Sequence, residues 1–224
     1  MAVGEDNPGH LQAVPGVRLG TVSAGIKTPG RKDLVLIEVA DNTRCAAVFT
    51  RNAFCAAPVT VARENLRSCV HQPRYLLINT GNANAGTGLA GIAAAHSCVG
   101  AVALEAGVDV HSVLPFSTGV IGEPLPVERL ERAIPAAFAA LSADGWAAAA
   151  QGILTTDTRP KALSVCFSCD GCNYLVTGIA KGSGMIRPNM ATMLAYIATD
   201  TAVEQTLLQE MLAELADMSF NRIT

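Results

Sequence analysis

Lys181-Gly182-Ser183-Gly184-Met185-Ile186-Arg187-Pro188-Asn189-Met190-Ala191-Thr192-Met193-Leu194-Ala195-Tyr196-Ile197-Ala198-Thr199-Asp200 passes from a glycine loop into an apolar run. Successive side chains in a strand point to opposite faces, and from Thr192 to Thr199 both faces are largely apolar, so the run reads as a strand buried from both sides with Thr192 exposed at its start. Immediately upstream, Leu163 to Cys169 and Cys172 to Ile179 flank Asp170-Gly171, a strong signal for a two-residue hairpin. A hairpin, a polar loop and a third strand therefore follow one another.

Working outward, Leu34 to Val39 and Cys45 to Thr50 read as two strands joined at Asp41-Asn42. Tyr75 to Asn79 and Val113 to Phe116 are short apolar runs that stop at the glycine loops containing Gly81 and Gly119. Between them, the Ala-rich segment Leu89 to Ala106 is closed by Gly107, which suits a helix ending in a left-handed cap. Val127, Leu130, Ile134, Phe138 and Leu141 follow helical spacing, with Pro135 expected to kink that helix. Thr201 and Glu204 read as a capping box for a last helix with the stripe Leu208, Met211, Leu212 and Leu215. The fold class is mixed α/β (α+β).

A chain of 224 residues that is 50% hydrophobic and 16% charged can bury enough apolar surface to offset chain entropy, so disorder is excluded. Sixteen Lys and Arg against nineteen Asp and Glu leave no basic excess, which argues against nucleic acid as a partner. No window carries the roughly 20 uncharged apolar residues of a spanning helix, so no membrane partner is expected. The first residues, with Glu5, Asp6 and Pro8, lack a basic n-region and an apolar h-region, so a secreted product is not expected. Seven cysteines, an odd number, fit a reducing compartment, and the expected location is the cytoplasm.

Four loops could carry chemistry: Asn79 to Gly86, Ser117 to Glu123, Thr155 to Thr158 and Lys181 to Ile186. Each could offer N–H groups and hydroxyls to an anion or oxyanion, and each could equally be a turn that needs Gly or small polar residues. None has the spacing of a P-loop or a dinucleotide fingerprint. Thr192 adds a sharper possibility. An internal Thr hydroxyl is a poor nucleophile without a base, and no His lies nearby in sequence. A cut between Ala191 and Thr192 would free an α-amine, with an ordinary pKa of about 7.7 to 8.0, on the residue that carries the hydroxyl. Nucleophile and base would then share one residue.

The run after Lys181 resembles the self-cleavage segment of the ornithine acetyltransferase family, also called the bifunctional arginine-biosynthesis or glutamate N-acetyltransferase family. Further matching segments follow in order: Leu19 to Ile26 with Gly30-Arg31-Lys32-Asp33, Val48-Phe49-Thr50 with Ala56-Ala57-Pro58-Val59, Gly81-Asn82-Ala83-Asn84, Ser117 to Gly122, Thr155-Thr156-Asp157-Thr158, and Phe220 to Thr224. Essentially the whole chain is covered. The resemblance implies a layered α/β sandwich of the self-processing aminopeptidase and ornithine acetyltransferase type. It also implies a ping-pong reaction: Thr192 takes the acetyl group of N2-acetylornithine as an ester, releases ornithine and passes the acetyl to glutamate, some members also accepting acetyl-CoA. Thr118 and Gly119 carry over as oxyanion-hole residues, Thr155, Lys181 and Thr192 as substrate contacts, and Ala191-Thr192 as the cleavage site. No cofactor is implied. Residues 1–191 would form an α chain and 192–224 the start of a truncated β chain, within a heterotetramer of two α and two β chains. Family members extend past Asn221-Arg222-Ile223-Thr224, so the chain looks like an amino-terminal fragment lacking further substrate contacts.

Two other functions fit the same residues. A self-processing aminopeptidase or amidase would share the N-terminal Thr logic and use water as acceptor, and a non-enzymatic module would use the glycine loops to hold an anion. Cys166, Cys169 and Cys172 have metal-like spacing, but Cys169 and Cys172 would flank the hairpin turn while Cys166 points to the other sheet face, so no metal site is expected. His96 is expected as a packed helix residue sharing a face with Ile92, Val99 and Ala103, and His10, His71 and His111 show no partner in sequence.

Overall fold

The computed structural model describes residues 10–69, 72–183 and 192–223. Ala191, the expected cleavage position, lies outside the described residues, as do the rest of 184–191, His71 and Thr224. Among the described residues, seven strands form two sheets. The first holds β1 (Val17–Val22), β2 (Leu34–Val39), β3 (Tyr75–Asn82) and β4 (Val113–Val120) in that order, with β1, β2 and β3 antiparallel and β4 parallel to β3. The second is an antiparallel meander of β5 (Lys161–Cys169), β6 (Cys172–Lys181) and β7 (Leu194–Thr199).

Alternation assigns the faces. Leu34, Leu36, Tyr75, Leu77 and Val113 turn outward onto α1 (Ala57–Ser68), α2 (Gly88–Ala106) and α3 (Val127–Ala139), meeting Val61, Val99, Leu130 and Ile134 in one core. Val35, Ile37 and Ile78 turn inward and meet Leu175, Ile179 and Tyr196 of the second sheet in another core. Trp146, Ala149 and Ala150 of α4 (Trp146–Gly152) belong to the same core, and Phe116 meets Tyr196 edge-on at 5.3 Å between ring centroids. The layers are helices, sheet, then sheet.

The hairpin is as expected: Cys169 pairs with Cys172 across Asp170 (φ 51°) and Gly171 (φ 77°), the positive values a type I′ turn demands. Gly107 caps α2 at φ 67°. By length and composition alone α2 could cross a membrane, which the sequence expectation did not allow for. Its stripe Gly91, Ala95, Cys98, Val99 and Val102 is buried in the first core, the placement of a core helix.

Other expectations need correction. Residues 45–50 are not the hairpin partner of β2, because both edges of β2 are already taken by β1 and β3. They are held instead by α5 (Gln205–Met218), whose Gln205 Nε2 donates to the Cys45 carbonyl and Gln209 Nε2 to that of Ala47. The third and fourth strands run into their glycine loops rather than stopping before them, with Gly81 opposite Gly119. Thr201 does not cap the last helix: Glu204 is itself the N-cap and accepts from the N–H groups of Thr206 and Leu207. Of its expected stripe, Leu208 and Leu212 are half-buried, while Met211 and Leu215 are exposed.

The outer face of the second sheet carries Leu163 (63% exposed) opposite Gly178 and Ile197 (55% exposed), beside Val165 and the stacked pair Phe167 and Tyr174. A contiguous apolar face of this kind drives association. The 224-residue chain by itself is expected to bind a hydrophobic dye and to self-associate; a monodisperse, dye-silent preparation would contradict that expectation.

Candidate active site

Alternation also places polar side chains between the sheets. Thr118 shares the inward face of β4 with Phe116, and Lys181 shares the inward face of β6 with Ile179, so both point into the seam where the cores end. Because Lys181 is opposite Leu194 in the β6–β7 ladder, Thr192 arrives beside it just before β7 begins. Lys181 is 2% exposed and Thr118 6%. Lys181 Nζ donates to Thr118 Oγ1 and, at 2.7 Å, to the Thr192 carbonyl. Three of the residues named from sequence, far apart along the chain, thus meet at one amine.

The loop after α4 supplies a counter-charge. Asp157 has no exposed side-chain surface; its Oδ1 accepts from Lys161 Nζ at 2.5 Å and from Gly182 N at 2.9 Å, while Oδ2 is buried with no hydrogen-bond partner among the described residues. Burial would raise the Asp157 pKa, but Lys161, the Gly182 N–H and Lys181 outweigh it and hold the carboxyl below its ordinary value. Burial pushes the Lys181 ammonium down to about 8, with Asp157 opposing that shift and Lys161 adding to it. Thr155 is half-buried in the same loop, between Leu154, whose carbonyl accepts from Arg31 at 2.6 Å, and Thr156, whose hydroxyl meets that of Ser183 at 3.1 Å. It therefore adjoins the cluster.

On the β4 side, a register shift sets Asn82 opposite both Thr118 and Val120. Gly119 lies at φ 138°, where a Cβ would stand 2.3 Å from the Gly81 carbonyl carbon. Only glycine fits. Gly119→Ala is expected to cost at least about 2 kcal/mol from strain and overpacking, read as a lowered unfolding midpoint of the full-length protein; an unchanged midpoint would contradict this geometry. Buried asparagines lock the turn: Asn79 Oδ1 accepts from Ser117 Oγ at 2.5 Å, Asn79 Nδ2 donates to the Asn82 carbonyl at 2.8 Å, and Asn82 Nδ2 reaches the carbonyls of Glu123 and Pro124. Their amides are satisfied within the fold, so they fix the backbone around Thr118. Pro115 is tolerated because β4 is an edge strand.

Sequence reading missed Asp157 and Lys161 as members of the site, although their four-residue spacing within a polar cluster was visible. It also treated the Asn79 loop as a possible anion cradle, whereas its amides hold the neighbouring turn. Against expectation, His96 is exposed on α2. His111, whose partner the sequence does not reveal, meets Asp109 through Nδ1 at 2.8 Å. Cys166 stands opposite Leu175 with its sulfur near Gln12.

The ArgJ family matches residues 18–224. The arginine biosynthesis bifunctional protein ArgJ of Pseudomonas syringae pv. tomato is 58% identical over 224 residues, covering 100% of this chain and 55% of that protein. The crystal structure of ornithine acetyltransferase complexed with ornithine from Mycobacterium tuberculosis is similar with a TM-score of 0.67 and 32% identity, covering 79% of this chain and 95% of that one. An L-aminopeptidase D-Ala-esterase/amidase from Ochrobactrum anthropi, described as a variant of the Ntn hydrolase fold, shares the fold alone, with a TM-score of 0.52, 10% identity, and coverage of 100% of this chain and 72% of that one. The architecture is thus the layered α/β sandwich of these proteins. The chain spans about half the length of the curated relatives it matches. By family match over nearly its whole length, the chain belongs to the ArgJ family.

Proposed function

We propose that the full-length protein is a glutamate N-acetyltransferase of arginine biosynthesis, moving the acetyl group of N2-acetylornithine to glutamate through an ester on Thr192. The observation that carries this reading is the meeting of Thr118, Lys181 and Thr192 at the seam between the sheets. Cleavage between Ala191 and Thr192 gives an α chain of residues 1–191 and a β chain beginning at Thr192. The M. tuberculosis ornithine acetyltransferase supports this division: 79% of this chain covers 95% of the solved chain, which is therefore shorter than this one, whereas the curated relative is nearly twice as long.

In the cut protein the Thr192 amine takes the hydroxyl proton as Oγ1 attacks the acetyl carbonyl, and it returns the proton to the departing ornithine nitrogen. Lys181 already occupies the Thr118 oxygen as an acceptor, which leaves the Thr118 O–H to donate to the developing oxyanion, with the Gly119 N–H as second donor. Lys181 and Thr155 then face the substrate, the former as a charged donor suited to a carboxylate. Residues beyond 224 complete the site and cover the apolar outer sheet face, in a cytoplasmic assembly of two α and two β chains; acetyl-CoA is a second donor. The test is to incubate the purified full-length protein with acetylornithine, with and without glutamate. Acetylglutamate should form in step with ornithine, while rapid ornithine release that ignores glutamate would mark an amidase and overturn the transferase reading.

A further inference from the structure

We propose that Lys181 is the base that starts chain cleavage at Thr192, before the α-amine that later serves as base exists. The inference rests on the self-cleavage reading. In the uncut chain the Thr192 nitrogen is an amide and cannot take a proton, so another group must. Among the described residues, His10 and His96 are exposed on the surface and His111 is engaged by Asp109. The Tyr196 hydroxyl is buried in the inner core, and that burial pushes its pKa well above the ordinary value. Asp157, held by Lys161 and Gly182, is too weakly basic. Lys181 remains, enclosed between the sheets with its nitrogen on the Thr192 carbonyl and on the Thr118 hydroxyl, a contact that could relay a proton.

Neutral Lys181 Nζ takes the proton from Thr192 Oγ1, and Oγ1 forms a bond to the carbonyl carbon of Ala191. Collapse of the tetrahedral species breaks the bond from that carbon to the Thr192 nitrogen, which leaves with the proton returned from Lys181. The product is an ester between Ala191 and Thr192 Oγ1 with a free α-amine. Water hydrolyses the ester, leaving a carboxylate on Ala191 and restoring the Thr192 hydroxyl; no oxidant or reductant is needed. Burial lowers the Lys181 pKa to about 8, which brings its neutral form within reach near neutral pH. The charged groups facing it are Asp157 in the loop after α4, which favours the protonated form, and Lys161 on β5, which opposes it. Asp157 therefore acts as a positioning residue that slows cleavage at low pH.

The experiment follows cleavage of newly made full-length chain in cell-free translation across pH 6 to 9. In the wild type, the rate should rise with pH through one ionisation near 8. Lys181→Arg, always protonated, should cut about 10²-fold or more slowly. Lys181→Ala should recover cleavage in proportion to added methylamine free base, a rescue that a misfolded chain would not show. Asp157→Asn retains the lysine and should move the ionisation to lower pH, making cleavage at pH 6 to 7 faster than in the wild type. Wild-type-rate cleavage in Lys181→Arg, or an Asp157→Asn profile superimposable on the wild type, would overturn the assignment. A wild-type chain that never cuts would instead overturn the self-cleavage reading beneath it.

Discussion

Thr192→Ala in the full-length protein is expected to give one uncut chain with acetyl transfer reduced by about 10⁴-fold or more, because the substitution removes the nucleophile and the step that frees its amine. The substitution leaves in place the bond from Lys181 to the Thr192 carbonyl, which does not need the hydroxyl. Thr192→Ser keeps the nucleophile and should still cut. Electrophoresis after purification reads cleavage and an acetylglutamate assay reads transfer. Wild-type activity in Thr192→Ala would remove the residue from the chemistry.

Thr118→Ala has the second largest expected effect, a slowing of turnover by about 10²- to 10³-fold with little change in the affinity for acetylornithine. A donor to the oxyanion acts when negative charge appears, so its loss falls on kcat. The substitution also strips a partner from buried Lys181, which keeps the Thr192 carbonyl as acceptor. A mutant weakened only in KM would make Thr118 a ground-state contact.

What the sequence made legible follows physical range. The hairpin at Asp170-Gly171 and the cap at Gly107 are local conformations dictated by residues that tolerate positive φ, and both are present. The partner of β2 was not legible, because a central strand chooses its neighbours across long separations: Leu34 pairs with Val22 on one side and with Asn79 on the other. The cap of α5 failed for a similar reason. Thr201 satisfied a local pattern, but its N–H and hydroxyl are engaged by Thr199 Oγ1, and Glu204 caps the helix unaided. At the candidate site, Thr118, Lys181 and Thr192 were named through resemblance, and the structure adds that one buried amine joins them. Asp157 became visible only once Lys161, Gly182 and Lys181 were placed around it, since no motif spacing specifies a carboxylate that works through a neighbouring lysine.

The most direct test of the central claim is an intact-mass measurement, with amino-terminal sequencing, on the freshly purified full-length protein assayed for acetyl transfer. Two chains are predicted, one ending at Ala191 and the other beginning at Thr192, in a preparation that converts acetylornithine and glutamate to ornithine and acetylglutamate. A single uncut chain with full transferase activity would contradict the account.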